Sequence, residues 1–373
     1  MWTFVAALAG RGRWPYRFAL ARSKSFGRVV AMKAMVLCAG FGTRLRPLTD
    51  RVPKPLVPLC GVPLLRYNLA LLRNAGVHDV VVNTHHLAAE MEKGALEVSA
   101  GLGLSATISR EMGHILGTGG GVRRAATLLG SGTFLLLNGD MLFDVDLEAA
   151  IVAHRAAGAM ATMVLAPYPR GASYGAVEVD SSFNVRRIAG RGAPVEPGLT
   201  KMHFTGVHVL ESEVLSRLPA EGESDINRTA YVRLIHEGAK VLGWVQNGYW
   251  GDLGAPRSLL RANLDVLEGK VPLQRFRPGA DPFAGTRELA PGVHADPQAV
   301  IDPTATLTGP SLVHAGAVIG PRAHIGPDAV VGSGVRVDAG GAVVRAVCWP
   351  ATHVGAGERV QDAIAAPGVR MEC

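Results

Sequence analysis

From Lys33 to Leu165 short apolar runs alternate with stretches of helical spacing. Ala34–Cys38, Asp79–Asn83, Leu104–Ile108, Phe134–Leu137 and Met160–Leu165 read as strands. Val80-Val81-Val82 and Phe134-Leu135-Leu136-Leu137 are apolar at every position, the pattern of strands buried on both faces. Between them, Leu64–Asn74, Leu87–Val98, a segment from Thr118 to Leu129, and Asp146–Ala157 repeat their apolar residues at helical intervals, the last with Asp146 placed as a cap. Short strands separated by helices predict an α/β fold, a doubly wound and mostly parallel sheet covered on both faces. In such sheets ligands sit beyond the carboxyl ends of the strands. The loops after Cys38 and Leu137 are therefore the places to look for chemistry.

The pattern then loosens. Ala176–Val179 and Thr205–Leu210 read as strands, Ile226–Glu237 as a helix, Asn247–Gly254 as a loop rich in glycine and aromatics, and Ser258–Leu267 as a closing helix. Pro272, Pro278, Gly279 and Pro282 mark 269–290 as a linker. From Gly292 a period of six takes over: Ile301, Leu307, Val313, Ile319, Ile325, Val331, Val337, Val343 and Trp349. Two positions before each is a mostly small residue, from Ala299 to Val347. Six fits neither a helix nor a simple alternating strand, but does fit a parallel β-helix, with one apolar residue of each short strand pointing inward. The hexapeptide form resembles the left-handed β-helix family. At three strands per coil, nine repeats predict about three coils. The expected organisation is an α/β domain at 32–268, the linker, a β-helix at 291–366 and a tail at 367–373.

Charge sharpens this division. The chain has 373 residues, with 38 Lys and Arg against 31 Asp and Glu. Six of the bases, Arg11, Arg13, Arg17, Arg22, Lys24 and Arg28, lie in 1–31 with no acid, so the remaining 32 bases face 31 acids. A nearly neutral body gives no electrostatic reason to expect nucleic-acid binding. Segment 1–31 fits either an organellar targeting peptide or an extension upstream of a start at Met32. The four cysteines, Cys38, Cys60, Cys348 and Cys373, form no CxxC, which argues against disulfide or zinc frameworks and suits a reducing, cytoplasmic setting. No apolar stretch has the length to cross a membrane.

The first loop reads Cys38-Ala39-Gly40-Phe41-Gly42-Thr43-Arg44-Leu45-Arg46-Pro47-Leu48-Thr49 and leads to Pro53-Lys54-Pro55-Leu56. Glycines directly after a strand let backbone N–H groups approach phosphate oxygens, and Arg44 and Lys54 add positive charge. No Gly-Lys-Ser/Thr follows, so this is not a Walker loop, and the third glycine of the dinucleotide fingerprint is missing. Taken together, the two blocks resemble the sugar-1-phosphate nucleotidylyltransferases, also called NDP-sugar pyrophosphorylases. The resemblance runs over 33–268 and includes Leu116–Gly121, Asn138-Gly139-Asp140, Tyr174-Gly175, Phe204-Thr205-Gly206 and Gly248–Gly254. Many members carry a C-terminal left-handed β-helix.

That resemblance implies a fold of the nucleotide-diphospho-sugar transferase type and a set of roles. Ala39, Gly40, Gly42 and Thr43 would wrap a nucleoside triphosphate, with Gly117, Thr118, Gly119 and Gly120 beside its base and ribose. Arg44 would bind the departing pyrophosphate and Lys54 the reacting phosphates. Asp140 and Asp252 would hold Mg²⁺, a hard cation that takes oxygen ligands and keeps several waters. Gly139, Gly175, Glu196, Thr205 and Gly206 would face the sugar. Glu111 lies where relatives often place a base-facing residue; as a residue by itself it reads equally well as a surface carboxylate. Many relatives carry Glu-Lys-Pro where this chain has Val195-Glu196-Pro197, so the family's lysine at the sugar phosphate is absent and Lys201 is a substitute.

The implied reaction joins a sugar-1-phosphate to the α-phosphorus of an NTP and releases pyrophosphate. Mannose-1-phosphate with GTP is the first substrate reading. N-acetylmuramate-1-phosphate with UTP, and glucose-1-phosphate with UTP or dTTP, are alternatives. Two other functions compete: an acyltransferase built on His314 and His324 of the β-helix, and a non-catalytic subunit sensing an NDP-sugar. The first lacks a loop insertion to shape a donor site, leaving these histidines as exposed turn residues, and the second would have lost Arg44, Lys54 or an aspartate. A homo-oligomer held through the β-helix is expected, since bare sheet edges invite association.

Overall fold

The apolar run after Met32 forms an interior strand of the sheet, β1 (Lys33–Leu37). The computed structural model describes residues 32–169 and 175–373; segment 1–31 and Tyr174 lie outside the described residues. Helix α1 (Leu64–Asn74) leads to β2 (Asp79–Thr84), and α2 (Ala88–Ala100) to β3 (Ser105–Arg110). The segment expected as one helix is two, α3 (Gly117–Arg124) and α4 (Ala126–Leu129), before β4 (Thr133–Asn138). All four strands are parallel, with β2 on one side of β1 and β4 on the other. Successive β1 residues alternate between two cores, Ala34 and Val36 in one and Met35 in the other, which confirms a sheet covered on both faces.

Beyond β4 the sheet becomes mixed, with mostly antiparallel pairs and one parallel pair. After β5 (Met141–Phe143), α5 (Leu147–Ala157) starts where expected, with Asp146 accepting from the Ala149 N–H at 2.9 Å. Then come β6 (Ala161–Pro167), β7 (Val177–Val179), β8 (Val185–Ile188), β9 (Arg191–Gly192) and the long β10 (Thr200–Glu211). β10 runs antiparallel to both β4 and β6, with a bulge between Phe204 and His208. Helix α6 is shorter than expected (Ala230–His236), and β11 (Val241–Val245) pairs with β6. The expected loop 247–254 contains a strand, β12 (Trp250–Asp252), paired antiparallel with β5, before α7 (Pro256–Leu267).

The six-residue period does build a three-faced coil of parallel strands. One face stacks Val293–Ala295, Ser311–Val313, Ala329–Val331, Ala346–Cys348 and Ala363–Ala366, and the other two faces stack four strands each. Two expectations need correction. Ser311 faces Ala329, eighteen residues on, whereas Ala329 faces Ala346, only seventeen on. A single residue, Arg345, turns the corner between Val344 and Ala346, at φ 46°. The register therefore slips by one, and Cys348, not Trp349, points inward. The stack also continues through Val354 and Val360, so it has about four coils instead of three. Arg287–Ala290 and Val369–Glu372 close the two ends of the first face as antiparallel strands.

That first face is docked. Its outward residues Leu312, Val330, Val347 and Ile364, together with the displaced Trp349, join the core that holds Leu259 and Leu260 of α7. Val300 and Val318 of the second face stay exposed. Segment 269–290 is packed as well, with Val271, Phe276 and Ala280 buried and Phe276 meeting Tyr67 edge-on at 5.4 Å. His314 is not an exposed turn residue: it lies over Gly61, with its Nε2 3.0 Å from the Cys60 carbonyl oxygen. The described residues accordingly form one compact unit.

Candidate active site

Strand order reverses at β1, whose neighbours β2 and β4 send their connections in opposite directions and open a crevice at the carboxyl edge. Leu37, the last residue of β1, pairs with Asn83 on one side and Asn138 on the other. Above them is a cavity of about 350 Å³, lined by Cys38, Ala39, Gly40, Gly42, Thr43, Arg44, Lys54, Pro55, Asn83, Ile115, Gly117, Thr118, Asn138, Asp140 and Gly254. The first loop holds its shape through Gly42, at φ 63°, whose carbonyl accepts from the Thr49 hydroxyl at 2.8 Å. A side chain at 42 would strike Thr49 and Lys54.

The β5–β12 ribbon explains how two aspartates 112 positions apart meet. Asp252 pairs in register with Met141, the neighbour of Asp140. Both carboxylates converge on Lys54, whose Nζ is 2.7 Å from Asp140 Oδ2 and 3.6 Å from Asp252 Oδ1. The Lys54 side chain is only 6% exposed while that of Asp140 is 37% exposed, so the ammonium is anchored and the carboxylate stays open to the cavity. Arg44 donates to Asp252 Oδ2 at 3.2 Å and lies over Gly254, where any side chain would displace it. Burial, and secondarily the charge of Asp140, push the Cys38 thiol well above its usual range, which removes it as a nucleophile at neutral pH.

Asp140 on the cavity wall, with Asp252 joined to the same Lys54, offers carboxylate oxygens that suit a hard divalent cation, which takes one or two protein carboxylates and completes its shell with water and substrate phosphates. Among the described residues no group of three His, Cys, Asp or Glu forms a denser metal cluster.

The remaining expected residues divide. Gly117 and Thr118 are on the wall, and Thr118 Oγ1 also accepts from the Ile226 N–H at 3.0 Å. Gly119 and Gly120 face away, against the 218–224 segment: added Cβ atoms would be 2.7 Å from Ser224 Oγ and 2.9 Å from the Gly222 oxygen. Gly139 is needed where β4 leaves β1, since a Cβ there would press on Cys38 Sγ at 2.7 Å. Gly206, at φ 93° in the β10 bulge, packs against Asn138 and Met141. Thr205 is buried and donates to the Val164 carbonyl at 2.8 Å, so its hydroxyl is engaged in the sheet. Gly175 packs on Ala189. Glu196 pairs with Arg186 at 2.8 Å and Lys201 is exposed on β10; neither lines the cavity.

Glu111 is not a surface carboxylate. It is 3% exposed, behind the cavity wall, and accepts from Asn83 Nδ2 and from the Leu116 N–H, both at 2.7 Å. Asn83 itself was missed by sequence reasoning. Its signal was present: a polar residue closing an otherwise apolar central strand, level with the loops on either side.

Residues 33–269 match the nucleotidyl transferase family. A mannose-1-phosphate guanylyltransferase from Mycobacterium tuberculosis is 32% identical over 72% of this chain and 79% of its own length. A UTP–glucose-1-phosphate uridylyltransferase from Synechocystis is also 32% identical, over 64% of each chain. Among solved structures, a UDP-glucose pyrophosphorylase from Acinetobacter shares the fold with a TM-score of 0.55 at 23% identity, covering 64% of this chain and 94% of that one. The chain belongs to the nucleotidyl transferase family, and it is an enzyme of that class. No helix among the described residues is long and apolar enough to cross a membrane.

Proposed function

We propose that this enzyme transfers a nucleotidyl group from an NTP to a sugar-1-phosphate, with mannose-1-phosphate and GTP as the preferred pair. The observation that carries the reading is that Arg44, Lys54 and Asp140 line the same cavity as the Gly40–Gly42 loop, with Asp252 ion-paired to both Arg44 and the buried Lys54. A phosphate oxygen of the sugar-1-phosphate attacks the α-phosphorus in line. The new P–O bond forms as the bond to the β-phosphate bridging oxygen breaks, and pyrophosphate leaves with that electron pair. The nucleophile is already an anion, so no general base is required. The chain's task is to orient two anions and neutralise charge. Backbone N–H groups of the first loop hold the triphosphate, Lys54 holds the reacting phosphates, and Arg44 draws the pyrophosphate away. Asp140 and Asp252 would hold Mg²⁺, which supplies further positive charge to the phosphates when bound.

The mannose and GTP preference rests on relatives named for that reaction, the Mycobacterium protein and one from Arabidopsis thaliana among them. The Synechocystis relative supports glucose-1-phosphate with UTP as the second reading. A panel crossing four NTPs with mannose-, glucose- and N-acetylmuramate-1-phosphate, read by pyrophosphate release, tests both. Highest kcat/KM with GTP and mannose-1-phosphate is the expected result. Preference for another pair replaces the substrate assignment, and no release with any pair overturns the reaction.

A further inference from the structure

From the cavity wall at Asn83 back to Glu111, a short buried chain of hydrogen bonds joins the two loops that would hold the nucleotide. The Cys38 N–H, at the root of the first loop, donates to Asn83 Oδ1 at 2.7 Å. Asn83 Nδ2 donates to Glu111 Oε1 at 2.7 Å, and Glu111 Oε2 accepts from the Leu116 N–H, also at 2.7 Å, at the start of α3. Asn83 is 2% exposed and Glu111 3%. We propose that Asn83 and Glu111 are positioning residues that set the gap between the 38–43 and 115–118 loops, so that Glu111 acts on nucleotide binding without touching the nucleotide. This rests on the reaction proposed above.

The donor and acceptor accounting makes the pair specific. Both groups facing Glu111 are N–H donors, so only a side chain with two acceptor oxygens of this length satisfies both. The Asn83 oxygen is taken by a backbone N–H, so its amide cannot turn around to help. Gly121 supports the same conclusion. A Cβ there would be 2.8 Å from Glu111 Oε1 and 3.0 Å from Asn83 Nδ2, so α3 rests directly on the pair. A glycine inside a helix disfavours it by about 1 kcal/mol relative to alanine. Here the close approach accounts for the glycine.

The test is a double-mutant cycle of Asn83→Asp and Glu111→Gln, read by equilibrium binding of GTP, or of the triphosphate the panel selects. Glu111→Gln sets an amide NH₂ against an N–H, and Asn83→Asp sets two carboxylates together. Each should weaken NTP binding about tenfold or more, the effect of a buried polar group left without its partner. In the double variant the carboxylate introduced at position 83 accepts from both the Cys38 N–H and the new amide NH₂ at position 111. The oxygen of that amide accepts from the Leu116 N–H, so every bond is restored. The double variant should bind NTP more tightly than Asn83→Asp alone. Both of those variants carry a carboxylate beside the cavity, so the cycle cancels its repulsion of phosphate. In turnover, the KM for NTP should rise in the single variants while the KM for sugar-1-phosphate changes less.

Losses that simply multiply overturn the proposal, as does parental NTP binding by Glu111→Gln. If neither single variant folds, the double variant decides: recovery of folding with measurable NTP binding supports the pairing, and a double variant that also fails to fold overturns it. Failure of the proposed reaction is distinguishable, because it shows as absent pyrophosphate release by the parent, whereas the cycle is read by binding alone.

Discussion

Both halves of this chain contain parallel strands, and in the first of them the strand ends line a cavity. Around β1 the strands stop and the chain departs through glycine-bearing loops, in opposite directions on the two sides. In the coil the strands stop and the chain turns a corner to the next face within a few residues, down to the single Arg345. A wall needs loop length, and the six-residue period leaves none. The coil's polar residues therefore serve its surface and its junction. His314 illustrates this: it holds the Cys60–Gly61 turn instead of lining a donor site.

The largest expected effect tests whether chemistry is confined to the splayed strand ends. Asp140→Asn should reduce turnover at least a hundredfold, in line with about 3 kcal/mol for one group of a preorganised electrostatic site. Its melting temperature should stay within a few degrees of the parent, because Asp140 is half-exposed. Normal turnover at saturating Mg²⁺ would remove Asp140 from the site.

The next tests whether the two halves can be separated. A chain ending at Gly269 loses Phe276 and the docked face, and should fail to give a cooperative unfolding transition. Within the full chain, Val330→Asp buries an unpaired charge at the junction and should cost about 4 kcal/mol. Val318→Asp, on the free second face, should stay within about 0.5 kcal/mol. Equal urea midpoints for these two variants would mean that the coil does not dock in solution.

The smallest expected change, that of His314→Gln, concerns acid. Burial holds the pKa of His208 in β10 down to about 3 and lowers that of His314 at the junction. A histidine depressed in the folded state stabilises the fold fully above its unfolded pKa and progressively loses that contribution as pH falls below it. Stability should thus decrease from about pH 6.5 downward, by up to about 1.4 kcal/mol per pH unit for His208. His314→Gln should flatten the slope slightly, since the imidazole is half-buried against Cys60. An unchanged slope would mean that His314 is solvated.

Much of this architecture was legible in local pattern. Helix α1 spans the expected residues, Asp146 caps α5, and the period of six from Ile301 to Val343 marks inward positions. The loop residues Gly40, Gly42, Arg44 and Lys54 do share one cavity. The errors came where local pattern and packing disagree. Trp349 continued the period by spacing, but the shortened corner moved it onto the catalytic half. The stretch 269–290 has a linker's composition, yet Val271, Leu273, Phe276 and Ala280 within it are buried.

What the sequence determined by itself were features that recur at short range: strand and helix periods, glycines after strands, the six-residue repeat. The tertiary structure alone decided which distant residues meet. Asp140 and Asp252 converge because β5 pairs with β12, and nothing in either segment's spacing encodes that partner. Glu111 is behind the wall because Asn83 and the Leu116 N–H both present donors to it. Periodicity records which face of an element is buried; a hydrogen bond also requires the position of its partner, and that position is fixed only when the sheet has assembled.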